Sequence, residues 1–313
     1  MSRRSVPRPR VRPVLAGSAV ALAVVAALVV MVVNSGRDGP VNAQTPLPGT
    51  STSLQSPQRS APPSTPASTA PPAEPLVLTP NGGNVVTGPS YWWSWALVDR
   101  RTGESWGGPT ADEPNRSVSM SKFWLAAVYL RTHPEPDQNT LNLLSTMIRD
   151  SNNDAADTIF FALGGREPMI STMASACGVT GPYIPPGYWW ASTWISSRDA
   201  ARLGVCLAEG RVANAQWTDW ILNEMRQVRG GGNFGIRFAF PEPQRSTIAI
   251  KNGWNVWDQN GVWYINCVAI GDTWVLAVET RSSSGGETCR SVAEQLLQQP
   301  VDPLDIWSAG AAP

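Results

Sequence analysis

Ser117–Leu130 reads SVSMSKFWLAAVYL, and the rest of the chain is organised around it. Ser119 and Lys122 stand three residues apart at the mouth of an apolar helical run, which places them on one face, one turn apart. That spacing brings a serine hydroxyl within reach of a lysine amine. The N-terminal end of the helix favours negative charge developing on the serine oxygen. A plain helix N-cap is the competing role for Ser119.

Lysine usage makes the pair informative. The chain has 24 Lys plus Arg in 313 residues, yet only Lys122 and Lys251 are lysines. Arginine keeps its proton in proteins, whereas a buried lysine can release it. The plain alternative is a biased composition that leaves two lysines on solvated faces. Charged residues are 15% and hydrophobic ones 42%, enough for a real core in one or two domains. Net charge is zero, but five arginines fall in the first thirteen residues, so the remainder is mildly acidic. Without a basic stripe, nucleic acid is not an expected partner.

The single histidine, His133, lies in the polar turn THPEP. A Ser-His-Asp triad would have to use it, and a zinc site with paired histidines is ruled out. A solvated loop histidine is the simpler reading. Cys177, Cys206, Cys267 and Cys289 form no CxxC pair, so metal binding is not expected; no cofactor is expected either. Four cysteines in an exported chain suggest two disulfides, with three possible connectivities. The expected pairing is Cys177–Cys206 between two helices and Cys267–Cys289 between a strand and the last helix.

Outward from this centre, the chain divides into four stretches. In 1–35, Arg3, Arg4, Arg8, Arg10 and Arg12 precede an uncharged run, Val14–Val33, long enough to cross a bilayer as a helix. The arginines mark the inner side. This predicts a single-pass membrane anchor through 14–33 with the rest outside the cell. A signal cleaved near Ala43, giving a secreted protein, is the alternative. Residues 36–88 are rich in Pro, Ser, Thr and Gly and cannot bury enough surface to fold. As a tether they reach from roughly 40 Å coiled to about 160 Å extended. The folded domain spans 89–300, and 301–313 is a tail.

Within the domain, WALVD (95–99), a turn at Arg101-Thr102-Gly103 and 104–107 predict a hairpin. Helical stretches follow over 140–148, 167–176, 197–207 and 217–226, and 149–163 is a polar break that runs straight into another apolar helix. Residues 178–197 form an aromatic loop without acids. The periodicity then becomes that of strands at 247–251, 262–270 and 274–279, with turns at Asn260-Gly261 and Gly271-Asp272, and a closing helix over 288–298. One sheet made from both ends of the domain, interrupted by a helical block, is expected. Gly230-Gly231-Gly232 lacks a following Gly-Lys-Ser/Thr and is read as a loop, not a phosphate cradle.

Three short motifs occur in order: Ser119-x-x-Lys122, Ser151-Asn152-Asn153 on a break between helices, and Lys251-Asn252-Gly253 at a strand end. Together they resemble the S-x-x-K, S-D-N and K-T-G motifs of the class A β-lactamase and penicillin-binding-protein family. The likeness extends to TADEPNRSVSMSKFWLAAVYL, SNNDAADTIFFALGG and IAIKNGW, and covers about residues 90–300. It implies an α/β (α+β) β-lactamase-like fold, an antiparallel sheet flanked by helices with an all-helical subdomain inserted.

The resemblance implies roles residue by residue. Ser119 is the nucleophile and Lys122 its base, with Lys251 lowering the proton affinity of Lys122 by like charge. Ser151 relays a proton to the leaving nitrogen. Asn153 holds Lys122 and the substrate amide. Lys251, with Asn252 and Gly253 beside it, meets a substrate carboxylate. Backbone N–H groups of Ser119 and Trp254 receive the oxyanion. Ser151 and Asn153 as helix caps, and Lys251 as a strand flank, are the structural alternatives.

Departures from the family pattern shape the functional expectation. Its lactamases use an acidic loop whose glutamate activates the deacylating water. The corresponding loop here, 178–197, has no Asp or Glu, so slow deacylation is expected. Asn252 replaces a hydroxyl residue, the segment between the first two motifs is short, and the N-terminal helix before the first strand is not apparent. Trp92, Trp93, Trp95, Trp189, Trp190, Trp194, Trp254 and Trp257 could stack on sugars, although packing is the commoner use of such residues. The expectation is a membrane-anchored serine hydrolase acting on a cell-wall peptide or β-lactam. A genuine class A β-lactamase and an inactive wall-binding module are the alternatives.

Overall fold

The computed structural model describes residues 78, 85, 90–256, 261–283 and 288–298. The anchor, nearly all of the tether, any helix preceding the first strand, Trp257, Asn260 and the tail lie outside these residues. Strands β1 (Ser90–Asp99) and β2 (Ser105–Gly107) form the expected hairpin. Its turn is closed by Asp99, whose carboxylate accepts from the N–H groups of Arg101 and Thr102. The chain then runs through β3 (Pro114–Arg116) and a 3-10 turn (Val118–Ser121) into α1 (Lys122–Thr132). Next come α2 (Gln138–Arg149), α3 (Asn153–Ala162), α4 (Arg166–Cys177), β4 (Trp194–Ser196), α5 (Ser197–Ala208) and α6 (Ala215–Arg226). The last part holds α7 (Gln244–Thr247), β5 (Ala249–Val256), β6 (Trp263–Ile270), β7 (Trp274–Ser282) and α8 (Cys289–Gln298).

The main sheet is antiparallel with strand order β2-β1-β7-β6-β5, so strands from both ends of the domain meet at β1 and β7. α5 lies on one face. Gly204 of that helix permits the close approach, since a Cβ there would stand 2.7 Å from Val275. The opposite face carries α8, tied to β6 through Cys267–Cys289. Between β2 and β5 the helices pack around α1, in which every residue from Lys122 to Leu130 is buried. A helix that is apolar all round belongs at a centre, and this one carries Lys122 inward at its first position.

The expected disulfides are both present, Cys177–Cys206 joining α4 to α5 and Cys267–Cys289 joining β6 to α8. They close loops of 29 and 22 residues, for which chain entropy gives about 3–4 kcal/mol each. Two local features differ from expectation. Thr247 ends α7, so β5 begins at Ala249 and runs through Lys251-Asn252-Gly253; the third motif lies inside a strand, not at its end. A small ribbon, β3 with β4, also pairs Asn115 with Ile195. Strands of three residues are too short to show a readable alternation.

Candidate active site

The chain approaching Ser119 is fixed before it arrives. Asn115 is fully buried; its amide donates to Asn266 Oδ1 at 3.1 Å and its Oδ1 accepts from Arg281 Nε at 2.9 Å. Ser117 N–H then donates to Thr193 O at 2.8 Å. Val118 takes φ 49°, in the left-handed region. A β-branched residue there is an outlier, costing on the order of 1–3 kcal/mol. Ser151, in the second motif, is the other non-glycine residue with positive φ among the described residues, at 56°. Both lie on one cavity of about 340 Å³, which Ser119, Asn153, Trp190 and Trp254 also line.

The second motif divides its duties. Asn152 caps α3, its Oδ1 accepting from Ala155 N–H at 2.8 Å. Capping therefore falls to the middle residue and leaves Ser151 and Asn153 to face the lysines. Lys122 Nζ donates to Ser151 O at 2.5 Å and to Asn153 Oδ1 at 2.7 Å, with Ser151 Oγ at 3.4 Å. Lys251 Nζ donates to the same Ser151 Oγ at 3.0 Å and to Asn252 O at 3.0 Å. Lys122, Ser151, Asn153 and Lys251 thus form one connected group. Ser119 lies on the cavity beside them, on the 3-10 turn that leads into α1. Its Oγ makes no hydrogen bond among the described residues. Ser119 is not a cap, since the N-cap position of α1 is Ser121.

Both lysines are 0% exposed, and burial disfavours their charged forms. Burial brings Lys122 down to about 7, with Asp157 opposing the shift. Burial also pushes Lys251 well below the ordinary lysine range, and the neighbouring charge of Lys122 adds to this. The resemblance implied that Lys251 would tune Lys122 by like charge. Desolvation is the larger cause, and the resolved repulsion falls on Lys251.

The third motif places its residues on alternate faces of β5. Lys251 and Gly253 face the helical block. Asn252 points the other way and is 1% exposed; its amide donates to Gly232 O at 3.0 Å and Phe234 O at 2.7 Å. Its side chain ties β5 to the glycine loop, so the substrate contact implied for Asn252 does not come from that amide. Trp254 rests on the same loop and meets Phe234 edge-on. A Cβ on Gly253 would stand 2.6 Å from the backbone nitrogens of both Ser119 and Met120. Gly253→Ala is therefore expected to force the strand away from the serine turn, costing roughly 1–3 kcal/mol. Urea unfolding checks this, and a variant as stable as wild type would contradict so close an approach.

Trp190 walls the cavity from the 178–197 loop. Its ring face lies 4.5 Å from Lys122 Nζ, and its Nε1 donates to Asp157 Oδ1 at 2.7 Å. Asp157 is a cavity residue that the motifs did not point to. It lies four residues after Asn153 on α3, and that spacing is the signal that could have found it. Of the tryptophans considered for sugar stacking, Trp95 is buried like Trp190, whereas Trp189 is 48% exposed at the cavity rim. His133 stacks on Tyr129 at the far end of α1 and does not line the cavity.

No protein-family model matches the chain, and no curated protein matches it. Solved structures do. The chain is similar to TLA-3 extended-spectrum β-lactamase, with TM-score 0.55, 15% identity, and coverage of 67% of this chain and 94% of that one. It is similar to a β-lactamase from Streptosporangium roseum, with TM-score 0.55, 14% identity, and coverage of 66% and 91%. It is also similar to PBP-A, with TM-score 0.56, 18% identity, and coverage of 68% and 91%. The fold of this chain is the β-lactamase-like one, in a divergent sequence.

Proposed function

We propose that this chain, whose fold is that of the β-lactamases and PBP-A, is a serine hydrolase that forms an acyl-enzyme on Ser119. The observation that carries this reading is the hydrogen-bonded group Lys122–Ser151–Lys251 behind the cavity that holds Ser119. A lysine buried to the point of losing its proton near neutrality is a base where no histidine is at hand. Ser119 Oγ attacks an amide carbonyl while neutral Lys122 accepts its proton. The oxyanion rests on the backbone N–H groups of Ser119 and Trp254, which the contact between Gly253 and the serine turn brings near each other. Ser151 Oγ passes a proton to the leaving nitrogen as the C–N bond breaks, and the Lys122 ammonium replaces it. Lys251, buried behind Ser151, donates to that hydroxyl oxygen and holds it in place for the transfer.

Hydrolysis of the ester is the slow step in this reading. Residues 178–197 supply no carboxylate for a water, and Trp190 occupies the side of Lys122 that they face. The substrate is a cell-wall peptide or a β-lactam, reached outside the membrane from the 14–33 anchor and its tether. A second reading, an inactive wall-binding module, draws on the fact that the Lys122 amine is committed to Ser151 and Asn153. Purified full-length protein treated with a penicillin and followed by intact mass separates the readings. A lasting adduct, absent from Ser119→Ala, is expected. Rapid drug loss without an adduct would indicate an efficient β-lactamase, and neither adduct nor loss an inactive module.

A further inference from the structure

The carboxylates on the cavity are Asp150 and Asp157. Asp150 is taken by Arg229, which donates to both of its oxygens at 2.6 and 2.9 Å. Asp157 has no arginine partner among the described residues. Its Oδ1 receives the indole N–H of Trp190, and the face of that indole lies over the Lys122 amine. The groups facing Lys122 are thus Lys251 from β5, Ser151 and Asn153 at the start of α3, Asp157 one turn along α3, and the ring of Trp190. The Asp150–Arg229 pair stands at the cavity wall as a neutralised unit.

We propose that Asp157 is a positioning residue for the chemistry at Ser119: its carboxylate holds the Trp190 ring against the Lys122 amine, sealing that amine from water and balancing its charge. Two effects of opposite sign then meet on one lysine. The ring removes water and disfavours the ammonium, while the carboxylate favours it. The pair keeps Lys122 neutral enough to accept a proton and basic enough to hold one. It also explains why the aromatic loop needs no acid of its own to stay shut, since the acid that latches it comes from α3. The proposal rests on the acyl-enzyme reading for its consequence, but not for its test.

With only two lysines in the chain, ¹³Cε-lysine labelling of the full-length protein gives two side-chain signals, assigned with Lys251→Met. The readout is the pH midpoint of the Lys122 signal. Asp157→Asn keeps an acceptor for the indole but removes the charge, so the midpoint should fall by about one pH unit. Asp157→Ser, which is smaller, should move it in the same direction. Trp190→Phe keeps the carboxylate and a ring, and the midpoint should not fall. In penicillin-treated samples Asp157→Ser should shorten the adduct lifetime several-fold more than Asp157→Asn, because only the former frees the indole. An unchanged midpoint in folded Asp157→Asn or Asp157→Ser overturns the proposal, as does an equal fall in Trp190→Phe. Absence of any adduct in wild type would instead remove the acyl-enzyme reading, leaving the titration to judge Asp157 alone.

Discussion

Lys122→Met is expected to slow acylation of Ser119 by about 10²–10⁴-fold, the usual worth of a positioned base. Its effect on stability should change with pH in a defined direction. Burial lowers Lys122 in the folded state from 10.5 to about 7, while the unfolded chain keeps the ordinary value. The contribution of this lysine to stability is therefore whole above 10.5 and declines as pH falls towards 7, with nothing further lost below. Methionine has no such dependence. It does leave Ser151 O and Asn153 Oδ1 without the donor they have in wild type, a pH-independent cost of roughly 1–3 kcal/mol each. Relative to wild type, the variant should look best at pH 6 and worst at pH 10 in urea unfolding. An equal difference at both values would mean that the amine is solvated.

Glu279→Gln should stabilise the protein increasingly as pH rises. Glu279 lies on β7 between Ser94 and Asn266 and faces α5. Both its carboxyl oxygens are buried without a hydrogen-bond partner among the described residues. Burial pushes this carboxyl well above the ordinary glutamate range, with Asp199 adding to the rise and Arg281 opposing it. The folded state thus holds a proton that the unfolded chain releases. The stability that goes with that proton is complete below the unfolded value of 4.5 and is lost as pH rises through the folded one. Glutamine has the shape of the neutral acid and no proton to lose. The gain in melting temperature should be small near pH 4.5 and several degrees at pH 8; a gain that shrinks with pH would contradict a neutral Glu279.

How much of this could be read in advance depends on the kind of signal. The buried helix α1 was legible because FWLAAVYL leaves no polar face, and the three motifs were legible because each holds side chains close in sequence. For the disulfides the sequence leaves three connectivities open; the expected one, Cys177–Cys206 with Cys267–Cys289, is the one present. What sequence could not show was set by contacts at long separation. Asp157 meets Trp190 across 33 residues, and Asn252 turns to the glycine loop 18–20 residues earlier. The cause of the Lys122 shift is hidden from sequence for the same reason: burial depends on everything packed around α1.

The most direct measurement is the rate of Ser119 acylation by a penicillin as a function of pH, followed by intact mass in wild type and Ser119→Ala. A base that must be neutral to act predicts a rate that climbs through about pH 7, the value burial gives Lys122, and then levels off, with no adduct in the serine variant. A rate that rises only towards pH 10, or mass that never changes at any pH, would contradict the account.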